Sequence, residues 1–234
     1  MIGVVLRGIP ALFLLPLLAF AADIEGNIVI LRKLTRRTVT ASAGSYLRGT
    51  PVELGADPTV DPLAYEREHV VVYLEGSLGA KPVNATMEQK DRRFSPDLLV
   101  VPVGSTVSFP NLDPIFHNVF SLSKAKSFDL GNYPRNQSRT VTFSTPGIVF
   151  VNCHLHPNMA SAIVIVPNRF YVRGDGEGRF TLSQVPAGEY TLVAWHKTAG
   201  FFRQTIQVGE SGTVKAQFSI PLGPETTARH EHPR

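Results

Sequence analysis

The chain has 234 residues, 43% of them hydrophobic and 18% charged, with a formal net charge of +4. That composition supports one or two globular domains with ample material for a buried core. The positive balance is too small to argue for nucleic acid, and no Lys/Arg run interleaved with aromatics offers a surface that would track phosphates.

Residues 1–21 read as a secretory signal. Arg7 supplies the positive n-region, Ile9 to Phe20 is an uncharged apolar run, and Ala19-Phe20-Ala21 has small-x-small cleavage spacing. The run is short and carries two prolines, so it is not expected to persist as a transmembrane anchor. No membrane span is expected after cleavage, and the expected location is periplasmic or extracellular.

The stretch from Asp23 to Leu31 reads as a first strand. It is followed by a basic cluster, Arg32, Lys33, Arg36 and Arg37, taken as a solvated strand end. Residues 38–67, broken by Gly44, Gly49, Pro51, Gly55, Pro58 and Pro62, read as an irregular loop with a short strand near Pro51-Val52-Glu53-Leu54. His69 to Gly76 is a strong strand. Short β-runs then recur between turn residues: Asn84 to Gln89, Leu98 to Val103, Thr106 to Phe109, Val119 to Leu122, Arg139 to Phe143, Ile148 to Asn152 and Ser161 to Val166. Such spacing predicts an all-β sandwich or barrel. Phe116 to Ser127 is the one place where a helical turn is expected. After Pro167-Asn168 come Phe170 to Arg173, Phe180 to Leu182, Tyr190 to His196, Arg203 to Val208 and Thr213 to Ile220. Turns are expected at Gly174 to Gly178 and at Val185-Pro186-Ala187-Gly188. Residues 223–234 read as a polar, disordered tail.

Cys153 is the only cysteine, so no intramolecular disulfide is available to it. A lone cysteine is most often a small core residue; here its neighbours change that reading. A β-branched and aromatic run, Val149-Phe150-Val151, leads into it. His156 follows after three residues and Met159 after three more, with Pro157 stiffening the loop. His117 lies 36 residues upstream, in Pro114-Ile115-Phe116-His117-Asn118-Val119. Two imidazoles, a thiolate and a thioether make a soft donor set suited to copper cycling between Cu(I) and Cu(II). The bland alternative is coincidence: a core Cys, a core Met and two surface His. His154 is expected to point away from such a site by strand alternation. His69 and His196 are expected to be structural, and His230 and His232 to lie in the tail.

Residues 80–167 resemble a cupredoxin of the plastocyanin and amicyanin kind. The resemblance rests on Gly104-Ser105-Thr106-Val107-Ser108-Phe109-Pro110-Asn111-Leu112-Asp113, on His117-Asn118-Val119, and on the short Cys153-x-x-His156-x-x-Met159 loop. It implies a Greek-key β-sandwich holding one type 1 copper ion on His117, Cys153, His156 and Met159. It also implies that the Asn118 side chain ties the two ligand loops together. Residues 170–221 resemble a carboxypeptidase-regulatory-like, transthyretin-type β-sandwich, through Gly176-x-Gly178-x-Phe180-x-Leu182 and Val185-Pro186-Ala187-Gly188-Glu189-Tyr190-Thr191-Leu192. Residues 26–30 and 70–74 fit that family's earlier strands. The expected organisation is therefore a discontinuous second sandwich, residues 23–79 and 168–222, with the cupredoxin unit 80–167 inserted into it.

These resemblances imply an electron-transfer protein whose redox partner docks near His156, over an apolar patch of Ile115, Leu155, Pro157 and Ala160. A copper carrier or delivery protein would use the same ligands. A multicopper enzyme is not expected: His-x-His spacing occurs at His154/His156, overlapping the candidate site, and at His230/His232 in the tail.

Overall fold

The computed structural model describes residues 21–34 and 61–220. The signal segment apart from Ala21, Arg36 and Arg37, the short strand expected near Pro51, and the tail with His230 and His232 lie outside the described residues.

The chain is nearly all β, as expected. It opens with β1 (Ala21–Ile30). A single helical turn, α1 (Ala64–Glu68), leads into β2 (Val70–Leu74). Then follow β3 (Asn84–Thr86), β4 (Glu88–Lys90), β5 (Arg93–Ser95), β6 (Leu98–Pro102), β7 (Thr106–Pro110), β8 (His117–Ser123) and β9 (Lys126–Tyr133). Next come β10 (Ser138–Thr142), β11 (Gly147–Asn152) and β12 (Ala160–Val166). The described residues end with β13 (Tyr171–Arg173), β14 (Arg179–Pro186), β15 (Gly188–His196), β16 (Gly200–Val208) and β17 (Thr213–Ile220).

The main sheets are β14-β1-β17, β13-β2-β15-β16, β6-β12-β11-β8-β9 and β10-β7-β3; β4 and β5 form a separate hairpin. Three apolar layers join them. Ile24, Ile28, Phe180 and Phe218 meet Val70, Val72, Leu192 and Ile206 in one layer. Val71 and Trp195, on the opposite face of the β2 sheet, meet Leu98, Ala162, Val164 and Val166 of the five-stranded sheet in the next. Val101, Val119, Val149, Val151 and Ile163 meet Val107, Phe109 and Val141 in the third, which also holds Cys153 and Met159. Strands buried on both faces read as unbroken apolar runs. Val70-Val71-Val72 and Ala162-Ile163-Val164-Ile165-Val166 are such runs, and all eight residues are buried. Each Val and Ile side chain among them contributes roughly 1.5–3 kcal/mol by its burial.

Segments far apart in sequence pair directly. β1 runs antiparallel to β14 and parallel to β17, and β2 runs antiparallel to β13 and β15.

Three expectations are corrected. Phe116 to Ser127 holds no helical turn: β8 and β9 meet there in a hairpin, with Ser123 opposite Lys126. Val119 and Ser121 face inward while Leu122 is 83% exposed, so apolar residues lie on both faces and mask the period of two. The turn expected over Val185-Pro186-Ala187-Gly188 narrows to Ala187: Gly188 opens β15, and Val185 and Pro186 close β14, where Val185 pairs with Ala22 beside a register shift. Gln184 takes a φ of 56° there and donates its N–H to Asp23 Oδ1 at 2.9 Å. Where irregular chain is expected up to residue 67, α1 already begins at Ala64, just after Asp61 Oδ1 accepts the Leu63 N–H; residues 38–60 lie outside the described residues.

Candidate metal centre

Two strand ends and one loop build the site. β8 starts at His117, and β11 ends at Asn152, its backbone paired with Phe120 of β8. The chain turns through residues 153–159 before entering β12. The Met159 N–H donates to the His156 carbonyl at 2.9 Å, and the Cys153 N–H to the Met159 carbonyl at 3.2 Å. Pro157 lies inside this closed turn, where its fixed φ stiffens the chain.

His117, Cys153 and His156 come together, their ligand atoms all within 4.8 Å of one another. His117 Nδ1 is 3.1 Å from His156 Nδ1, and Cys153 Sγ is 3.7 Å from His156 Nδ1. His117 is wholly buried, Cys153 is buried, and His156 is half-buried at the rim. Met159 is buried at 1% exposure in the same apolar cluster as Cys153.

Hydrogen bonds orient these groups. His117 Nε2 lies 2.7 Å from Asp113 Oδ2. A carboxylate only accepts, so Nε2 carries the proton and Nδ1 turns a lone pair into the site. The Asn118 N–H points at Cys153 Sγ at 3.4 Å. The Asn118 side chain accepts the His154 N–H at 3.4 Å and donates to Asp129 Oδ1 at 2.7 Å. It thus joins the loop after Cys153 to β8 and β9. Burial holds the His156 imidazole below the usual histidine range, helped by His117 and Arg92 and opposed by Asp113. Burial disfavours charge on Asp113. The Arg92 N–H, His117 and the Asp91 N–H outweigh it and hold the carboxyl below its ordinary range.

His154 stands outside this group. It is exposed and stacks on Phe120 with ring centroids 3.6 Å apart, its Nε2 3.7 Å from Asp129 Oδ2. His69 and His196 lie elsewhere, each opposite a carboxylate, Asp97 and Glu66 respectively. Asp113 is the residue that sequence reasoning missed. The available signal was an acidic residue four positions before a candidate histidine ligand.

The donor set fits a copper ion. The His117–His156 and Cys153–His156 separations of 3.1 and 3.7 Å suit ligands that each sit about 2.0–2.3 Å from one first-row metal ion. Among the described residues this is the one His/Cys/Asp/Glu group of three or more so gathered.

No protein-family model matches the chain, and no curated protein matches it. Among solved structures it is similar to the Cu-containing nitrite reductase NirK from Thermus scotoductus SA-01. Identity there is 24% and the TM-score 0.36, over 41% of this chain and 25% of that one. It is also similar to a purple cupredoxin from Nitrosopumilus maritimus, at 22% identity and TM-score 0.32, over 35% of this chain and 98% of that one. An amicyanin variant in its Cu(I) state is similar at 17% identity and TM-score 0.33, over 40% and 97% of the two chains. The chain thus spans about a quarter of the nitrite reductase. No helix among the described residues is long and apolar enough to cross a membrane.

Proposed function

We propose that this chain is a type 1 copper protein that carries single electrons, with His117, Cys153 and His156 as strong ligands and Met159 as a fourth, weaker one. The observation that carries the reading is the convergence of two imidazoles and one thiol at the edge of a buried apolar layer. A copper ion held there would supply a one-electron Cu(I)/Cu(II) couple, with the Cys153 thiolate and the Met159 thioether among its donors. The chain's part is to hold its ligands still between redox states. The Asn118 bridge and the closed 153–159 turn support that role, because a site that does not rearrange transfers electrons quickly.

The half-buried His156 is the proposed electron port. Ile115 and Leu155 are 40% and 45% exposed, and Pro157 and Ala160 are exposed too. These residues form the proposed apolar patch for a small, transient redox partner. The strand pairings support a discontinuous organisation, residues 23–79 and 168–222 forming one sandwich around the unit 80–167. That flanking sandwich serves as scaffold and brings no proposed catalytic group. The apolar run of residues 9–20 supports export to the periplasm or cell exterior.

The test is repeated chemical reduction and reoxidation of the copper-loaded protein, with metal content measured after each cycle. Electron transfer predicts a reversible colour change with copper retained. Release of copper on reduction, or colourless tight binding of Cu(I), would instead make it a copper carrier.

A further inference from the structure

Beside the candidate centre stands a carboxylate held from three directions. Asp113 Oδ1 accepts the Asp91 N–H at 2.7 Å, Oδ2 accepts the Arg92 N–H at 2.9 Å, and the same Oδ2 faces His117 Nε2 at 2.7 Å. Its own N–H donates to Asn111 Oδ1 at 3.0 Å. Asn111 in turn donates to the Ile115 and Tyr133 carbonyls, at 2.8 and 3.0 Å. The segment leading to His117 is therefore fixed through both the side chain and the backbone of Asp113.

The two N–H donors come from an unusual place. Asp91 and Arg92 are the two-residue turn of the β4–β5 hairpin, with Lys90 opposite Arg93. Their φ angles are 53° and 56°, both left-handed, and neither residue is glycine. Such a turn favours Asn-Gly or Asp-Gly, so Asp91 suits its place, whereas Arg92 stands where glycine is usual at a cost of about 1–2 kcal/mol. Successive N–H groups in turns of this kind form a cradle for an anion. The hairpin is also fastened to the ligand segment through Gln89. Its Nε2 donates to the Phe109 carbonyl at 3.1 Å and to Tyr133 Oη at 2.6 Å, and its backbone carbonyl accepts the Leu112 N–H at 2.9 Å. Strain that persists in so tightly determined a setting is a reason to look for a function.

We propose that Asp113 is a positioning residue for the copper site: held by the strained Asp91–Arg92 turn, it fixes the Nε2–H tautomer of His117 and makes His117 the more basic, more firmly held imidazole ligand. This inference rests on the type 1 copper reading above. A carboxylate behind a ligand imidazole raises the electron density at its metal-binding nitrogen. The higher charge of Cu(II) gains more from that density than Cu(I) does, so Asp113 lowers the reduction potential.

Asp113→Asn and Asp113→Ala, each loaded with copper and compared with the unaltered protein, test this. Asparagine keeps the shape and an acceptor for the turn but removes the charge behind His117. Its preference for Cu(II) over Cu(I) is expected to fall about tenfold, an upward shift in potential of about 59 mV for a one-electron couple. Asp113→Ala is expected to weaken copper binding about 10- to 100-fold in chelator competition. An unchanged potential in Asp113→Asn, with loss of apo-protein stability alone, would make Asp113 a mere turn brace and overturn the inference. If Asp113→Ala does not fold, the potential of Asp113→Asn decides. A blue unaltered protein with no response in either variant sinks this inference alone, whereas an unaltered protein with no copper–thiolate band sinks the type 1 reading and this inference with it.

Discussion

His117 and His156 turn their Nδ1 atoms toward each other at 3.1 Å across 39 positions of sequence. His117 reaches this place because β8 begins at it and is bound into the sheet on both sides by β11 and β9. His156 reaches it because the 153–159 segment closes on itself through the Met159 N–H and Met159 carbonyl. The 3.1 Å separation is the one two imidazole nitrogens would keep if each bound the same metal ion at about 2.0 Å.

Asn118 should matter to copper retention although it donates no ligand atom. Asn118→Ala removes the acceptor for the His154 N–H and the donor to Asp129. Copper affinity is expected to fall about 10- to 100-fold, as when partners that orient ligands are lost from other metal sites. Chelator competition measures it, and unchanged affinity would show that the loop after Cys153 holds without that bridge.

His196 should make the protein acid-sensitive. Its Nδ1 accepts the Thr198 and Ala199 N–H groups at 3.2 and 3.3 Å, and the ring is wholly buried. Burial holds its pKa below the usual histidine range, aided by His69 and opposed by Glu66. The unfolded chain therefore takes up its proton first as pH falls. Stability is complete above the ordinary histidine value of about 6.5 and declines as pH drops below it toward the folded value. Urea unfolding of the metal-free protein between about pH 7 and pH 5 should show this decline, with a shallower slope in His196→Gln. Equal slopes would contradict it.

The layer between the two central sheets should carry much of the stability. Trp195 is 3% exposed there, against Leu98, Ala162 and Val164. Trp195→Ala is expected to cost about 3–5 kcal/mol. Residues 168–234 expressed alone are expected not to fold cooperatively, because β14 and β17 both pair with β1, and β13 and β15 with β2. A sharp thermal transition in that fragment would remove the discontinuous organisation.

The proposed docking face predicts a separation of binding from chemistry. Leu155→Lys places a charge in the exposed patch beside His156, at a residue that supplies no ligand atom. Reduction by a small protein partner is expected to slow while the copper spectrum stays the same. An unchanged rate would move the docking face elsewhere.

Much of the site was legible because its signal is local. Cys153, His156 and Met159 share one loop, and the β-branched run before Cys153 marks a strand end. The strands buried on both faces were legible as apolar runs. Asp113 was not, because its role depends on N–H groups from Asp91 and Arg92, and nothing in that dipeptide announces two left-handed residues. The run Val119 to Leu122 within β8 was legible as a strand, but its hairpin partner β9 was not. In β9, Phe128 and Leu130 alternate with Ser127 and Asp129, too few apolar positions to stand out. The meeting of His196 with Glu66 joins α1 to the end of β15 across 130 positions, a contact that no spacing in the sequence encodes.

The most direct test is the visible spectrum of the protein with an equimolar amount of Cu(II), recorded beside Cys153→Ala. The account predicts an intense blue thiolate-to-copper band in the protein and none in the variant. A colourless protein, or a band that survives loss of the Cys153 sulfur, would contradict it.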